Sequence, residues 1–268
     1  MLIHEYHHNT ISVKSDTLFL SLPIFETQAN PNEVAYETAR KRMLPPFDSN
    51  ANAPSKVYNA QQFFGNVAWD KVSRIVDKVL EMKDGNKITD WTTTLLGKKS
   101  VHQQPSIVAL LKTIDPTQKG SPYRIKTAFL LFLLLKLHHR ISRNRNVAEG
   151  ATAPSLEDGI NSIHIPHEVG VVFFDLFTSP TNNNMFTSSK LQKDRLNAYL
   201  FILYAIASGR DMKVPSINPL CKDMRIDIKD ASAVLREAGF QVKKNGMGDV
   251  GVSLNVPLKF PPPKRSRK

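Results

Sequence analysis

The side chains best placed to do chemistry in this chain are cations. Lys229, Ser232, Ala233 and Arg236 fall at i, i+3, i+4 and i+7, the spacing that gathers side chains on one face of a helix. Such a face can enter a groove or follow the backbone of a nucleic acid; the bland alternative is a solvated helix face. Neither Asn nor Gln lies on it, so phosphate contact is expected rather than direct base reading. Lys243 and Lys244 follow a few residues later, and Lys190, Lys193 and Arg195 open an earlier helix as a second basic group.

Other motifs are weaker. Gly246-Met247-Gly248-Asp249-Val250-Gly251 matches G-x-G-x-x-G, but a dinucleotide site needs a strand before it and a helix after it. Here residues of period two follow, so the segment reads as a hairpin turn. Histidines occur as His4, His7 and His8, as His138 and His139, and as His164 and His167. The last pair with Glu168 gives H-x-x-H-E, which matches no zincin order and is interrupted by Pro166, and the middle pair points to two different faces of a helix. Solvated or phosphate-facing histidines are expected. The single cysteine, Cys221, excludes an internal disulfide and a Cys-rich zinc module, and it reads as a small buried side chain. No nucleophile elbow, P-loop or acid paired with a base is visible, so no catalytic residue, metal or cofactor is expected.

The elements that must position these residues can be read from periodicity. Glu33 to Met43 reads as a helix, and the Pro/Asn/Ser-rich stretch 45–59 as an extended linker without regular structure. Phe63 and Phe64 sit on a short helical turn. Trp69, Val72, Ile75, Val76, Val79 and Leu80 mark an amphipathic helix closed by Asp84-Gly85-Asn86. A short helix follows at 105–113. Ser121-Pro122 opens a long one to about Arg145, apolar on every side between Phe129 and Leu137 and so buried all round. Residues 146–163 read as a polar loop, a helix follows Pro166, and 178–184 is another loop. Ser188 or Ser189 caps a helix to about Ser208, with Gly209 as its C-terminal glycine cap.

The last third has the order helix, helix, turn, helix, hairpin. A helix at 215–223 leads through Met224-Arg225-Ile226 to a second helix, where Ala231, Val234, Leu235 and Ala238 face the core. Phe240 and Val242 begin one strand. Val250, Val252, Leu254, Val256 and Leu258 alternate as the other. That is the order of a winged-helix domain, with the hairpin as wing.

Charge agrees with a polyanionic partner. The 268 residues carry 36 Lys and Arg against 24 Asp and Glu, a net of +12. Residues 187–268 hold 16 of these cations against 7 acids, so three quarters of the excess lies in the last third. Nucleic acid is the first expectation and an acidic membrane surface the second. The longest apolar run, 128–135, is far short of the roughly 20 residues a bilayer requires, and the N-terminus does not read as a secretory signal. The terminal KRSRK reads as a nuclear address, as extra phosphate contacts or as a solvated tail.

Two segments carry a resemblance. MLPPFDSNANAPSKVY at 43–58 resembles the start of the C-terminal half of the forty-nine-kilodalton-type subunit of eukaryotic RNA polymerase I, and VSLNVPLKFP at 252–261 resembles the closing strand of that family. The resemblance covers roughly residues 40–268. It implies a mainly α fold with small β-hairpins: tandem winged-helix domains, at 66–185 and 186–260, preceded by a linker with short helices at 33–65. A poorly defined segment at 1–32 and a basic tail at 261–268 complete the chain. It further implies a nuclear and nucleolar, non-catalytic subunit that works with the polymerase I core subunits. In that role it holds duplex DNA and supports initiation and elongation on ribosomal RNA genes. Family members usually begin with a β-rich domain that pairs with a second, lysine-rich subunit, for which residues 1–32 are too few. The alternatives are a free-standing winged-helix regulator and a protein-interaction module.

Overall fold

The computed structural model describes residues 31–85, 87–98, 104–143, 156–180, 186–209, 211–246 and 248–261. The tail KRSRK, His4, His7 and His8, and most of the segment 1–32 lie outside them. The chain is mainly helical with small antiparallel hairpins.

Helices α1 (Pro31–Met43), α2 (Pro54–Val57) and α3 (Ala60–Phe63) lead into α4 (Gly65–Asp84). Then come α5 (Trp91–Leu96), α6 (Pro105–Lys112), α7 (Ser121–Arg143), α8 (Leu156–Ile163) and α9 (His167–Phe177). A two-residue pair, β1 (Ser179–Pro180) and β2 (Phe186–Thr187), precedes α10 (Lys190–Ser208). Strand β3 (Lys213–Val214), helices α11 (Asn218–Met224) and α12 (Ile228–Glu237), and strands β4 (Phe240–Lys244) and β5 (Val250–Leu254) finish the fold.

The centre is α7 against α10. Every residue from Ala128 to Leu135 is buried, and so is every residue from Ala198 to Ala207. A helix apolar all round cannot face water on any side, so these two pack on each other and the rest encloses them. One face of the pair is closed by α4 and α9 through an aromatic nest. Phe64 lies 4.9 Å from Phe173, and Tyr199 lies 5.4 Å from Phe63 and 5.1 Å from Phe177, centroid to centroid. These are favourable tilted and edge-to-face pairs. The other side is closed by α11, α12 and the sheet, whose order is β3-β5-β4. One continuous apolar core runs through both halves.

Polar clamps tie the halves as well. Arg124 of α7 donates to the carbonyls of Ala207 and Ser208, each at 2.9 Å, and so satisfies the open C-terminus of α10. Gly209 is extended there, with φ 161°, and is not the left-handed cap expected from the sequence. An arginine from a neighbouring helix does that work. At the other end the capping serine is Ser189, in a capping box with Gln192. Asp223 of α11 accepts from the Ser106 amide at 3.0 Å and from its hydroxyl, and its carbonyl meets His139 Nε2 at 2.7 Å.

Four sequence expectations change. The 45–59 stretch is not an unstructured linker: Phe47 bridges Tyr58, the Asp48 amide donates to Val57, and Val57 and Tyr58 are 1% exposed. Tyr58 donates its hydroxyl to the Ala238 carbonyl at 2.8 Å and stacks on Phe240, which fastens this strap to the far end of the chain. The stretch 146–163 is not loop throughout, because α8 forms from Leu156, where Ile160 and Ile163 are buried at helical spacing. Strand β5 ends at Leu254; beyond it the chain turns back, and Phe260 packs edge-on to Phe47 at 5.3 Å. His138 is not solvated. It is 6% exposed, and burial, helped by the neighbouring His139, pushes its imidazole down to about 4. No helix among the described residues is long and apolar enough to cross a membrane.

Two tests follow from the packing. The Lys56–Val57 bond should resist trypsin under conditions that cut exposed loops, and Tyr58→Ala should make it labile; prompt cleavage of the unaltered chain there would show the strap undocked in solution. His138 binds its proton more weakly when folded than its ordinary value of 6.5 allows. The unfolded chain therefore takes up more protons between those two values, and stability falls as pH drops through that window. Urea unfolding should lose about 2 kcal/mol more between pH 7 and pH 5 in the unaltered chain than in His138→Leu. Equal losses would refute the neutral, buried imidazole.

Candidate nucleic-acid interface

Helix α12 is set by its apolar side. Ala231, Leu235 and Ala238 are buried, which turns Lys229, Ala233 and Arg236 outward, all exposed. Ser232 does not join them. It is 6% exposed and donates its hydroxyl to the Ile228 carbonyl at 2.6 Å. At about 100° per residue it stands on the flank between Leu235 and Arg236, where a short hydroxyl bonds its own helix more readily than it reaches out. The sequence reading placed it on the cationic face; the structure removes it. Asp227 occupies the N-cap position without a side-chain cap bond, and Asp230 supplies the acidic first turn.

The last turn of α11 and the residue that closes it add two cations that the sequence reading passed over. Arg225 adopts a left-handed conformation, φ 55° and ψ 43°, that closes α11, and both it and Lys222 are exposed. For Arg225 the signal was available: a Met-Arg-Ile turn between two helices shows its polar member to solvent.

The hairpin β4–β5 stands beside α12 in the register Val242↔Val252, Lys243↔Gly251 and Lys244↔Val250, with Lys243 and Lys244 exposed. Its turn end is anchored through Asp249, which accepts from Asn218 Nδ2 at 2.7 Å and Ser216 Oγ at 3.1 Å. Gly251 is required by crowding, since a Cβ there would lie 2.9 Å from the Pro215 carbonyl oxygen. The turn glycine Gly248, with φ 82°, closes the hairpin through its amide to Asn245 at 3.1 Å. The G-x-G-x-x-G segment is therefore a strand-to-strand turn with no helix after it.

The second basic group divides. Lys190 and Lys193 are exposed at the start of α10. Arg195 is half-buried and committed: Nε donates to the Arg42 carbonyl at 2.6 Å and Nη1 to the Leu176 carbonyl at 3.2 Å. It fastens α1 and α9 to α10 and is removed from the surface set. Between the end of α7, the start of α10 and α11–α12 lies a cleft of about 1120 Å³. Lys190, Lys193, Lys222 and Arg225 line it, facing Asp194, Asp223, Asp230 and Glu237. Two of those acids are engaged, Asp223 with Ser106 and Glu237 with the Tyr36 hydroxyl at 2.6 Å.

The arrangement offers fixed positive charge and little else chemically. Among the described residues no cluster of three or more His, Cys, Asp or Glu could hold a metal ion. Cys221 is buried, and burial raises its thiol to about 11, so it is a poor nucleophile.

No curated protein matches the chain. The family of A49-like RNA polymerase I associated factors matches residues 16–261, which spans α12, the hairpin and everything packed beneath them. The chain belongs to the A49-like RNA polymerase I associated factor family.

Proposed function

We propose that this chain is a non-catalytic accessory subunit of RNA polymerase I, in the nucleus and nucleolus, that holds duplex DNA by its backbone during initiation and elongation on ribosomal RNA genes. Residues 190–254 act as a winged helix, with α12 as the recognition helix and β4–β5 as the wing. Residues 66–185 act as its partner, with β1–β2 as a reduced wing. The observation that carries the reading is the grouping of Lys229 and Arg236 on α12 with Lys243 and Lys244 on the adjacent hairpin. All four are exposed, and none makes an ion pair among the described residues. Lys222 and Arg225 extend the group towards the cleft, where Lys190 and Lys193 stand. Cations without protein partners keep their charge for phosphates, and phosphate contacts release counterions without reading sequence.

Lys229→Ala, Arg236→Ala and the Lys243→Ala/Lys244→Ala pair should each weaken duplex binding by a similar factor on unrelated sequences. Each lost phosphate contact should make the log–log salt slope shallower by about one. Ser232→Ala should leave that slope unchanged, because the hydroxyl is buried and bonds its own helix. Fluorescence anisotropy over a salt series measures all of these. A loss confined to one DNA sequence would favour a base-reading regulator. Affinity flat with salt would favour a protein-interaction module.

A further inference from the structure

The cleft between α7, α10, α11 and α12 has features that phosphate holding does not use. Its lining is mixed in charge: Lys190, Lys193, Lys222 and Arg225 stand among Asp194, Asp223, Asp230 and Glu237. Equal numbers of cations and carboxylates argue against a plain polyanion, and equally against a basic peptide. The charges differ in how far the protein commits them. None of the four cations makes an ion pair among the described residues, and neither does Asp194 or Asp230. Asp223 and Glu237 accept from Ser106 and Tyr36.

The wall of the cleft adds two unmet polar atoms. His138 of α7 and Asn197 of α10 both line it. His138 is 6% exposed; its Nδ1 and the Asn197 Oδ1 are both buried without a hydrogen-bond partner. The side chains are neighbours, near enough for Asn197 to favour the His138 proton, yet they do not satisfy each other. A buried polar atom without a partner is costly, and folded proteins leave few. Here two lie together at a cavity wall, with Ile141, Leu196, Met224 and Val234 supplying an apolar lining to the same space.

We propose that this cleft binds one unstacked nucleotide, its base edge on Asn197 and His138 and its phosphate on the cations at the mouth. A base edge presents hydrogen-bond donors and acceptors side by side. Asn197 Oδ1 requires a donor, and Nδ1 of a neutral imidazole is either donor or acceptor. Asn197 is half-buried, so a turn of its amide brings Oδ1 to the opening. Asp194 and Asp230 accept from exocyclic amino groups, which gives the carboxylates of the cleft a use that a bare phosphate would not. A volume of about 1120 Å³ accommodates a nucleotide with its water. A paired base keeps its edge inside the duplex, so the nucleotide is unpaired. It comes from one of two sources: an unpaired position in a DNA strand held on the adjoining α12 face, or a free nucleoside triphosphate. The first source rests on the DNA-holding reading and the second does not.

The test has one arm for each source and uses the full chain. In the strand arm, anisotropy compares a duplex carrying one bulged nucleotide with the same duplex fully paired and with an abasic residue at the bulge. In the free arm, calorimetry compares ATP, GTP, CTP and UTP with inorganic tripolyphosphate. At least one arm should show the base preferred about tenfold, over the abasic strand or over tripolyphosphate. The arm that shows it identifies the source. Asn197→Leu should abolish that preference while leaving paired-duplex affinity unchanged and the thermal midpoint no lower, since it removes an atom that has no partner to lose. The proposal is overturned if neither arm prefers a base, if the abasic strand binds as well as the bulged one and free nucleotides no better than tripolyphosphate, or if Asn197→Leu keeps the preference. A lowered midpoint in Asn197→Leu overturns it too, by showing the amide already satisfied within the protein. Failure of the DNA-holding reading shows separately, in the salt series on Lys229 and Arg236.

Discussion

Two helices that have no polar side set the terms for the rest of the molecule. Along α7 from Ala128 to Leu135, and along α10 from Ala198 to Ala207, no residue reaches solvent. An amphipathic helix needs one covering layer; a helix apolar all round needs cover on every side. The pair can supply one of those surfaces to each other. The remainder must come from α4 and α9 on one flank and from α11, α12 and the sheet on the other. That demand explains why the chain has one continuous core, although its sequence reads as two successive units. It also explains why polar contacts between the halves are few, specific and placed at helix ends, as with Arg124 at the end of α10 and Asp223 against Ser106. There the open backbone groups of a helix must be satisfied.

The same burial sorts the charges. Helix α12 must turn Ala231, Leu235 and Ala238 inward, so Lys229 and Arg236 cannot avoid facing out. The hairpin is held at its turn by Asp249 and crowded at Gly251, and Lys243 and Lys244 stand on the strand paired to that segment. Helices α8 and α9 carry no Lys or Arg, and two of their acids are bonded within the protein, Glu157 to His167 and Glu168 to Lys71 of α4.

Much of this was legible in the sequence, and the failures have identifiable causes. Periodicity located α4, α7, α9, α10 and α12 because each buries a long apolar stripe or a whole surface. It located the hairpin because Val250, Val252 and Leu254 alternate. It passed over α2, α5 and β3, which are six residues or fewer, too short for a period to register. Of the exposed cations near the hairpin, it picked out Lys229, Arg236, Lys243 and Lys244, and it passed over Lys222 at the end of α11 and Arg225 in the turn that follows. It placed Ser232 and Arg195 with the outward-facing groups, whereas both side chains are hydrogen-bonded to backbone carbonyls of the protein. Spacing says which way a position points only to within the width of a helix face. It is silent on whether a hydroxyl bonds its own backbone or whether a guanidinium finds two carbonyls.

The strap at 45–59 shows the limit most clearly. Its Pro, Asn and Ser content is that of a segment unable to build a core of its own, and that inference is sound. What composition cannot register is a core supplied by residues about 180 positions later. Tyr58 reaches the end of α12 through Ala238 and stacks on Phe240. Phe47 meets Phe260, and Arg40 lies 4.1 Å above the Phe260 ring while donating to the Pro261 carbonyl. The two ends of the described chain therefore order each other. A proline-rich segment loses less conformational freedom on docking than an ordinary one, so a few aromatic anchors suffice to hold it. This makes α1 and the strap part of the platform under α12. The position of the cationic helix then depends on residues at both ends of the described chain, and a change at Tyr58 or Phe260 reaches the proposed DNA face through Ala238 and Phe240 without touching a single surface cation.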